Sequence, residues 1–144
     1  MSNDELPQIE RLILNPSVVS AMEFLSPAAY QDALAWIRNH FHFAYGQQID
    51  WPHDPGAVAG KILELTEEKL QGLLKNYGVE ASRRITIVWA YGDKAITLPL
   101  HLMAAHIKDI WLPALDDVFL FDPQDVWCVE FYHEGNFSCG RFYS

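Results

Sequence analysis

The chain has 144 residues, half of them hydrophobic, and a formal net charge of −9 from 10 Lys and Arg against 19 Asp and Glu. This size and composition are typical of one globular domain and argue against a disordered chain. The acidic balance argues against a protein that binds nucleic acid or an anionic membrane, because both kinds of binding need clustered cations.

A basic protein partner is compatible with the charge, since opposite charges accelerate encounter. The alternative is that the charge only keeps the protein soluble. Residues 1–7 lack the basic and apolar regions of a signal peptide, and no apolar run approaches the ~18 residues of a membrane span. We therefore expect a cytoplasmic protein that folds as a single domain over residues 1–144.

The first half of the sequence has the pattern of helices. Asn15-Pro16 and Ser26-Pro27 each combine a capping residue with proline at the first helical position, so they predict a short helix over about 16–24 and a longer one from 27. A third helical region is predicted over about 57–77, with Thr66 as an internal cap and Gly78 after its end. The longer helix has apolar residues at helical spacing, namely Tyr30, Ala33, Leu34, Ile37 and Phe41.

The second half has the pattern of strands. Residues 85–91 alternate and are rich in β-branched and aromatic side chains, and Gly92-Asp93 can turn the chain into a second strand over 94–98. The register of this hairpin places four apolar side chains on one buried face, with Trp89 opposite Ile96 and Ile87 opposite Leu98.

A helix is predicted over 99–111, and strands follow over 118–121, 126–133 and 137–142. A run of helices followed by a run of strands indicates the α+β class. We expect N-terminal helices packed on a mainly antiparallel C-terminal sheet of four to five strands, with one intervening helix. The last strand is a candidate for an exposed edge that could pair across a two-fold axis, so a homo-oligomer is one option.

The last two strands can be divided into faces if Gly135-Asn136 forms a two-residue turn. Glu130 then opposes Arg141. Helices are expected to cover the face of Trp127, Val129 and Phe131. The other face is expected to be exposed, with Cys128, Glu130, Tyr132 and Glu134 against Phe137, Cys139, Arg141 and Tyr143. In this register the two cysteines share a face about 13 Å apart, which is too far for a disulfide.

Tyrosine and glutamate on one exposed face, together with acids at strand ends, are typical of a recognition surface for a basic partner. The alternative is an ordinary solvated sheet face with ordinary turns. The residues assigned to partner binding are Asp116, Asp117, Asp122, Asp125, Glu130, Tyr132, Glu134 and Tyr143.

The sequence carries none of the usual motifs of catalysis or metal binding. It lacks the His-Glu-x-x-His, Cys-x-x-Cys and Gly-x-Ser-x-Gly patterns and a Gly-rich phosphate loop. His101 and His106 are five residues apart, which is not the spacing of ligands on one helix face. We therefore expect no enzyme, cofactor or metal site. A carboxylate hydrolase would need two acids that converge in a cleft, such as two of Asp117, Asp125, His133 and Glu134.

The acidic strand at 116–121 and the tryptophan-bearing segment 127–135 resemble the immunity proteins that bacteria make against contact-delivered or polymorphic toxins. The resemblance covers about a fifth of the chain and implies a binding protein that neutralises a cognate, basic protein toxin by direct contact. Two alternatives are an acidic mimic of nucleic acid that inhibits a host enzyme and a small hydrolase that uses Asp or Glu with His.

Overall fold

The computed structural model describes residues 15–41, 43, 49, 57–90, 94–107 and 117–142. These residues form four α-helices and one seven-stranded antiparallel sheet, so the α+β class is confirmed. The helices are α1 (Pro16–Ala21), α2 (Pro27–His40), α3 (Glu67–Lys75) and α4 (Leu100–Ala105), with a 3₁₀ turn at Ile62–Glu64. The strands are β1 (Glu23–Phe24), β2 (Val58–Lys61), β3 (Arg84–Trp89), β4 (Lys94–Pro99), β5 (Val118–Phe121), β6 (Trp127–Phe131) and β7 (Asn136–Arg141).

The helix starts follow the predicted capping residues. Asn15 Oδ1 accepts the N–H of Ser17 at 3.0 Å, and Ser26 Oγ accepts the N–H of Ala29 at 3.1 Å. Thr66 Oγ1 caps α3 in the same way. Each bond links residues two or three apart, which is why the sequence alone predicts these helix starts.

The third predicted helical region is wrong in its first half. Residues 58–61 form β2, which pairs with β7, and α3 begins only after the Thr66 cap. Gly60 disfavours a helix, and the ring of Phe137 lies over it so closely that an added Cβ would be 2.9 Å from Cε1. The strand is therefore explained by a tertiary contact that the sequence does not reveal.

The strand order is β1-β4-β3-β5-β6-β7-β2, so β1 and β2 form the edges of the sheet. The sheet has seven strands instead of four to five because both short edge strands went unpredicted. The predicted edge at 137–142 is also wrong, because β2 pairs along it. The residues predicted after α4, 108–111, lie outside the described residues.

The β3–β4 register differs from the prediction by two residues. Ile87 pairs with Ile96, and Trp89 pairs with Lys94. An even shift keeps every side chain on its face. The predicted buried face of this hairpin is therefore confirmed, since its four apolar residues lie in one core cluster, namely Ile87, Trp89, Ile96 and Leu98.

The β6–β7 register differs by three residues because the turn has three residues, 133–135, instead of two and is centred 1.5 residues earlier in the chain. Tyr132 accepts the N–H of Gly135 at 2.9 Å, and its own N–H donates to Asn136 at 2.8 Å. Gly135 has φ 101°, the left-handed conformation that this kind of hairpin loop requires. Glu130 therefore pairs with Ser138 and not with Arg141.

Helices cover both faces of the sheet. One core lies between the sheet and α1, α3 and α4, and it contains Trp89, Trp127 and Phe131. The second core lies under α2, which packs on Phe119, Phe121 and Cys128. The face of β6 that was expected to be exposed is thus buried under α2. Among the described residues no helix is long and apolar enough to cross a membrane.

Candidate binding surface

The eight residues assigned to partner binding do not form one exposed surface. Asp117, Asp122 and Glu130 are buried, with 3%, 7% and 1% of their surface exposed. Asp125 and Tyr132 are half-buried, and Glu134 is exposed. Asp116 and Tyr143 lie outside the described residues. The prediction that these acids are exposed is therefore wrong for Asp117, Asp122 and Glu130. The contacts of each explain its burial.

Asp117 fastens the β6–β7 turn to the start of β5. Its Oδ1 accepts the backbone N–H of His133 at 2.8 Å and lies 3.0 Å from the Nδ1 of the same residue. The Asp117 carbonyl also accepts the N–H of Ala90, at the end of β3. The carboxylate of Asp117 thus holds the end of β6 to the start of β5, and its backbone carbonyl holds the end of β3 to the same point.

Asp122 and Asp125 belong to the turn between β5 and β6. Asp122 Oδ2 binds the Arg83 guanidinium at 2.9 Å to Nε and 2.8 Å to Nη2, and its Oδ1 accepts the N–H of Gln124. Asp125 Oδ1 accepts the N–H of Val126 at 2.9 Å. The bonds to Gln124 and Val126 are the local hydrogen bonds by which Asp stabilises turns, so the ordinary-turn alternative describes this part of the geometry. The ion pair with Arg83 is instead a tertiary contact between residues 39 positions apart.

Glu130 holds a loop onto the second face of the sheet. Its Oε2 accepts the backbone N–H of Ile49 at 2.9 Å. Ile49 itself forms an isolated bridge with Phe43, and both pack in the core under α2. A partner protein cannot reach this carboxylate while that core is closed.

The odd register shift places the two cysteines in different cores. Cys139 lies with Trp127 and Val129, whereas Cys128 lies with Phe119 and Phe121. Both thiols are buried, and neither forms a disulfide among the described residues. Burial raises the pKa of Cys128 well above its ordinary value, and the nearby charges of Glu130 and Cys139 raise it further. Because the thiolate is the reactive form, burial and the raised pKa both lower the reactivity of the Cys128 thiol in the folded chain.

We expect the native chain to react with Ellman's reagent at pH 8 at least ~10-fold more slowly than free cysteine, since a buried, protonated thiol is inert. In guanidinium chloride both thiols should react at once. Absorbance at 412 nm measures each rate. Rapid release of thionitrobenzoate by the native protein would show that one of the two cores is open.

The Asp117–His133 pair is the chemically suggestive contact among the described residues. A buried carboxylate that orients a half-exposed imidazole is one part of a general-base arrangement. The ring of Tyr132 lies 4.2 Å from that of His133. In the described part of the chain, no Ser, Thr or Cys side chain hydrogen bonds to His133. The same residues include no group of three His, Cys, Asp or Glu that could hold a metal ion.

An apolar groove of about 380 Å³ lies between edge strand β2 and helix α3. Its floor and walls come from Phe137, Leu65 and Leu73, with Gly60 and Gly72 on opposite sides. Val58 at its rim is 41% exposed, and the neighbouring Leu63 is 75% exposed. The volume falls in the range of ligand pockets in proteins.

The sequence does not predict this groove, because the pattern of residues 57–65 predicts a helix where the structure has β2 and a 3₁₀ turn. A signal was present, since Val58-Ala59-Gly60 combines a β-branched residue with a helix-disfavouring glycine. Nothing in the sequence shows that Phe137 covers Gly60 from 77 residues away.

Comparison with known proteins yields no matching family model and no matching curated sequence. The function is therefore argued from the sequence and from this geometry.

Proposed function

We propose that the chain is an acidic binding protein that neutralises a cognate, basic protein toxin by direct contact, as immunity proteins do. The observation that carries the proposal is a strongly exposed leucine beside an open groove on a chain of net charge −9. Leu63 is 75% exposed, and three exposed glutamates follow it within five residues of the sequence, namely Glu64, Glu67 and Glu68. We call these four residues the Leu63 patch.

The Leu63 patch supplies the two components that a tight interface needs. Carboxylates attract a basic partner and raise the rate of association, whereas a desolvated apolar side chain slows dissociation. The contact surface proposed here therefore lies beside β2 and α3. The face of β6 is no longer proposed as the contact surface, because Glu130 is buried there. Occlusion of the active site or substrate groove of the toxin would then block its activity.

A small hydrolase is a second candidate, because Asp117 Oδ1 lies 3.0 Å from His133 Nδ1 and could orient the imidazole as a general base. The acidic nucleic-acid mimic has less support. A mimic needs carboxylates displayed in rows like phosphates. Three of the acids that would form such rows are engaged inside the fold, namely Asp117, Asp122 and Glu130.

Co-expression with the product of a neighbouring gene that encodes a basic, toxic protein tests the proposal. We expect the chain to restore growth and to bind the purified toxin in a 1:1 complex by calorimetry. The change Leu63→Asp should weaken binding at least ~10-fold, because a hot-spot side chain is lost. The matched control is Val19→Asp, which changes an apolar residue that is 43% exposed on α1.

Unchanged binding by Leu63→Asp, or equal losses in both variants, would remove the Leu63 patch from the interface. Failure of the chain to protect cells from the toxin, with no complex detected, would overturn the proposed function itself.

A further inference from the structure

The outer edge of β2 presents backbone groups to an incoming strand. The N–H of Ile62 donates to the carbonyl of Gly135 at 2.9 Å, and hydrogen-bonded pairs alternate along an antiparallel ladder. Gly60 and Val58 therefore direct their backbone groups toward β7. Ala59 and Lys61 direct their N–H and C=O groups away from the sheet. No strand among the described residues pairs with this outer side.

The apolar groove lies directly beside this edge. Val58 and Gly60 pair with Cys139 and Phe137, so all four face α3. If an extended segment paired with β2, every second side chain of that segment would point to the α3 side of the sheet. These side chains would enter the groove near Phe137. Edge and groove together thus fit an extended backbone with an apolar side chain.

Gly72 leaves the helix side of the groove open. It lies in the middle of α3, where glycine costs about 1 kcal/mol relative to alanine. No atom would lie within 4 Å of a Cβ added there. Packing within the chain therefore does not require glycine at this position, but a side chain longer than that of alanine would extend into the groove.

The charges that line the groove differ from those of the chain as a whole. Lys61 and Lys69 line it, and neither forms an ion pair with a carboxylate of the described residues. Among the described residues, the Lys69 ammonium donates to the backbone carbonyl of Glu64, at 3.3 Å. Glu64 also lines the groove, so two lysines and one glutamate give one net positive charge. A carboxylate in the ligand is complementary to this lining.

We propose that the groove binds an extended segment of a partner protein, which adds to β2 as an eighth strand. An apolar side chain of the segment packs on Phe137 opposite Gly72, and an adjacent Asp or Glu pairs with Lys61 or Lys69. The inference rests on the proposed function in that the segment belongs to the neutralised toxin. A basic toxin can supply it, because net charge governs encounter whereas the groove contacts only a few residues.

A second copy of this chain fits the edge less well. Val58–Lys61 contains no carboxylate that could pair with Lys61 of another copy. Two chains of net charge −9 also repel each other. The groove is therefore assigned to a partner segment and not to self-association.

Random seven-residue peptides displayed on phage and selected against the folded chain provide the probe. We expect enriched peptides in which β-branched residues alternate with Asp or Glu. A synthetic representative should protect the amides of Ala59 and Lys61 from hydrogen exchange. N-methylation of the alternate peptide amides that face β2 should weaken binding at least ~10-fold, whereas methylation of the other set should not.

The variant Gly72→Leu should fold and lose at least ~10-fold in peptide affinity, because the side chain fills the groove. Gly72→Ala is the control, with binding within about 3-fold of the native chain. Absence of enriched peptides, equal effects of both methylation patterns, or full affinity in Gly72→Leu would overturn the inference. Dimers that protect Ala59 and Lys61 without peptide would also overturn it, in favour of a second copy.

The two proposals fail separately. If the chain neutralises the toxin equally well with Gly72→Leu, the groove inference is wrong and the proposed function stands. If peptides bind the groove as described but no toxin is neutralised, the strand-addition site stands and the proposed function is wrong.

Discussion

Replacement of Phe121 by alanine should lower the free energy of unfolding by about 3–5 kcal/mol, the usual loss for a buried phenylalanine. Phe121 is fully buried, and its ring stacks on that of Trp36 at 4.7 Å with an interplanar angle of 12°. The contact joins β5 to α2 across the second core. Guanidinium denaturation followed by circular dichroism measures the change, provided that the transition remains two-state.

Phe24→Ala is the matched control, because Phe24 is 59% exposed on edge strand β1. It should change the stability by less than about 0.5 kcal/mol, as expected for an exposed site. Equal effects of the two substitutions would contradict the two-sided core. They would mean that α2 does not cover the sheet and that the face of Glu130 is open to solvent.

The helix starts could be predicted from the sequence because their causes are local. Asn15, Ser26 and Thr66 each bond to an N–H two or three residues away. The apolar stripe of α2 is equally local, and four of its predicted residues are buried on the helix. Interactions of this kind are fully specified by a short window of sequence.

The final hairpin could not be predicted in the same way, since Glu134-Gly135-Asn136 is compatible with turns of two or three residues. The chain adopts the three-residue turn, with Gly135 in the left-handed conformation. The resulting odd slip exchanges the faces of β7 relative to β6. A single turn residue thus decides on which side of the sheet Cys139 lies.

One feature of the sequence does indicate that both faces of the sheet are buried. Residues 118–121 are four consecutive apolar residues, and such runs are typical of strands covered on both sides. Glu130 in the next strand suggested an exposed face. It is buried because it accepts a hydrogen bond from Ile49, a contact 81 residues away.

Acids at strand ends are the main candidates for partner binding in the sequence. The sequence cannot distinguish an exposed acid that binds a partner from a buried acid that stabilises the fold. Asp117 contacts a residue 16 positions away, and Asp122 contacts one 39 positions away. Such pairs depend on the strand order, which no local pattern specifies. The groove beside β2 could not be predicted for the same reason, because it forms only where the fold brings β2, α3 and Phe137 next to one another.

Replacement of Asp117 by alanine should lower the free energy of unfolding by about 1.5–3 kcal/mol, the range for hydrogen bonds to a charged group. The change removes the acceptor of the His133 N–H and of its ring nitrogen, and it leaves the backbone donor without its partner. Thermal and guanidinium unfolding measure the loss. Hydrogen exchange at the His133 amide should accelerate, because the β6–β7 turn is no longer held to β5.

Two variants separate the structural role of Asp117 from a chemical one. Asp117→Asn keeps Oδ1 as an acceptor and should retain more than about half of the lost stability, whereas His133→Ala should cost less than about 1 kcal/mol at a half-exposed ring. If Asp117→Ala leaves the stability unchanged, the carboxylate does not hold the turn. An Asp–His pair kept without any gain in stability is what the hydrolase alternative requires, since active-site groups are selected for chemistry and not for packing.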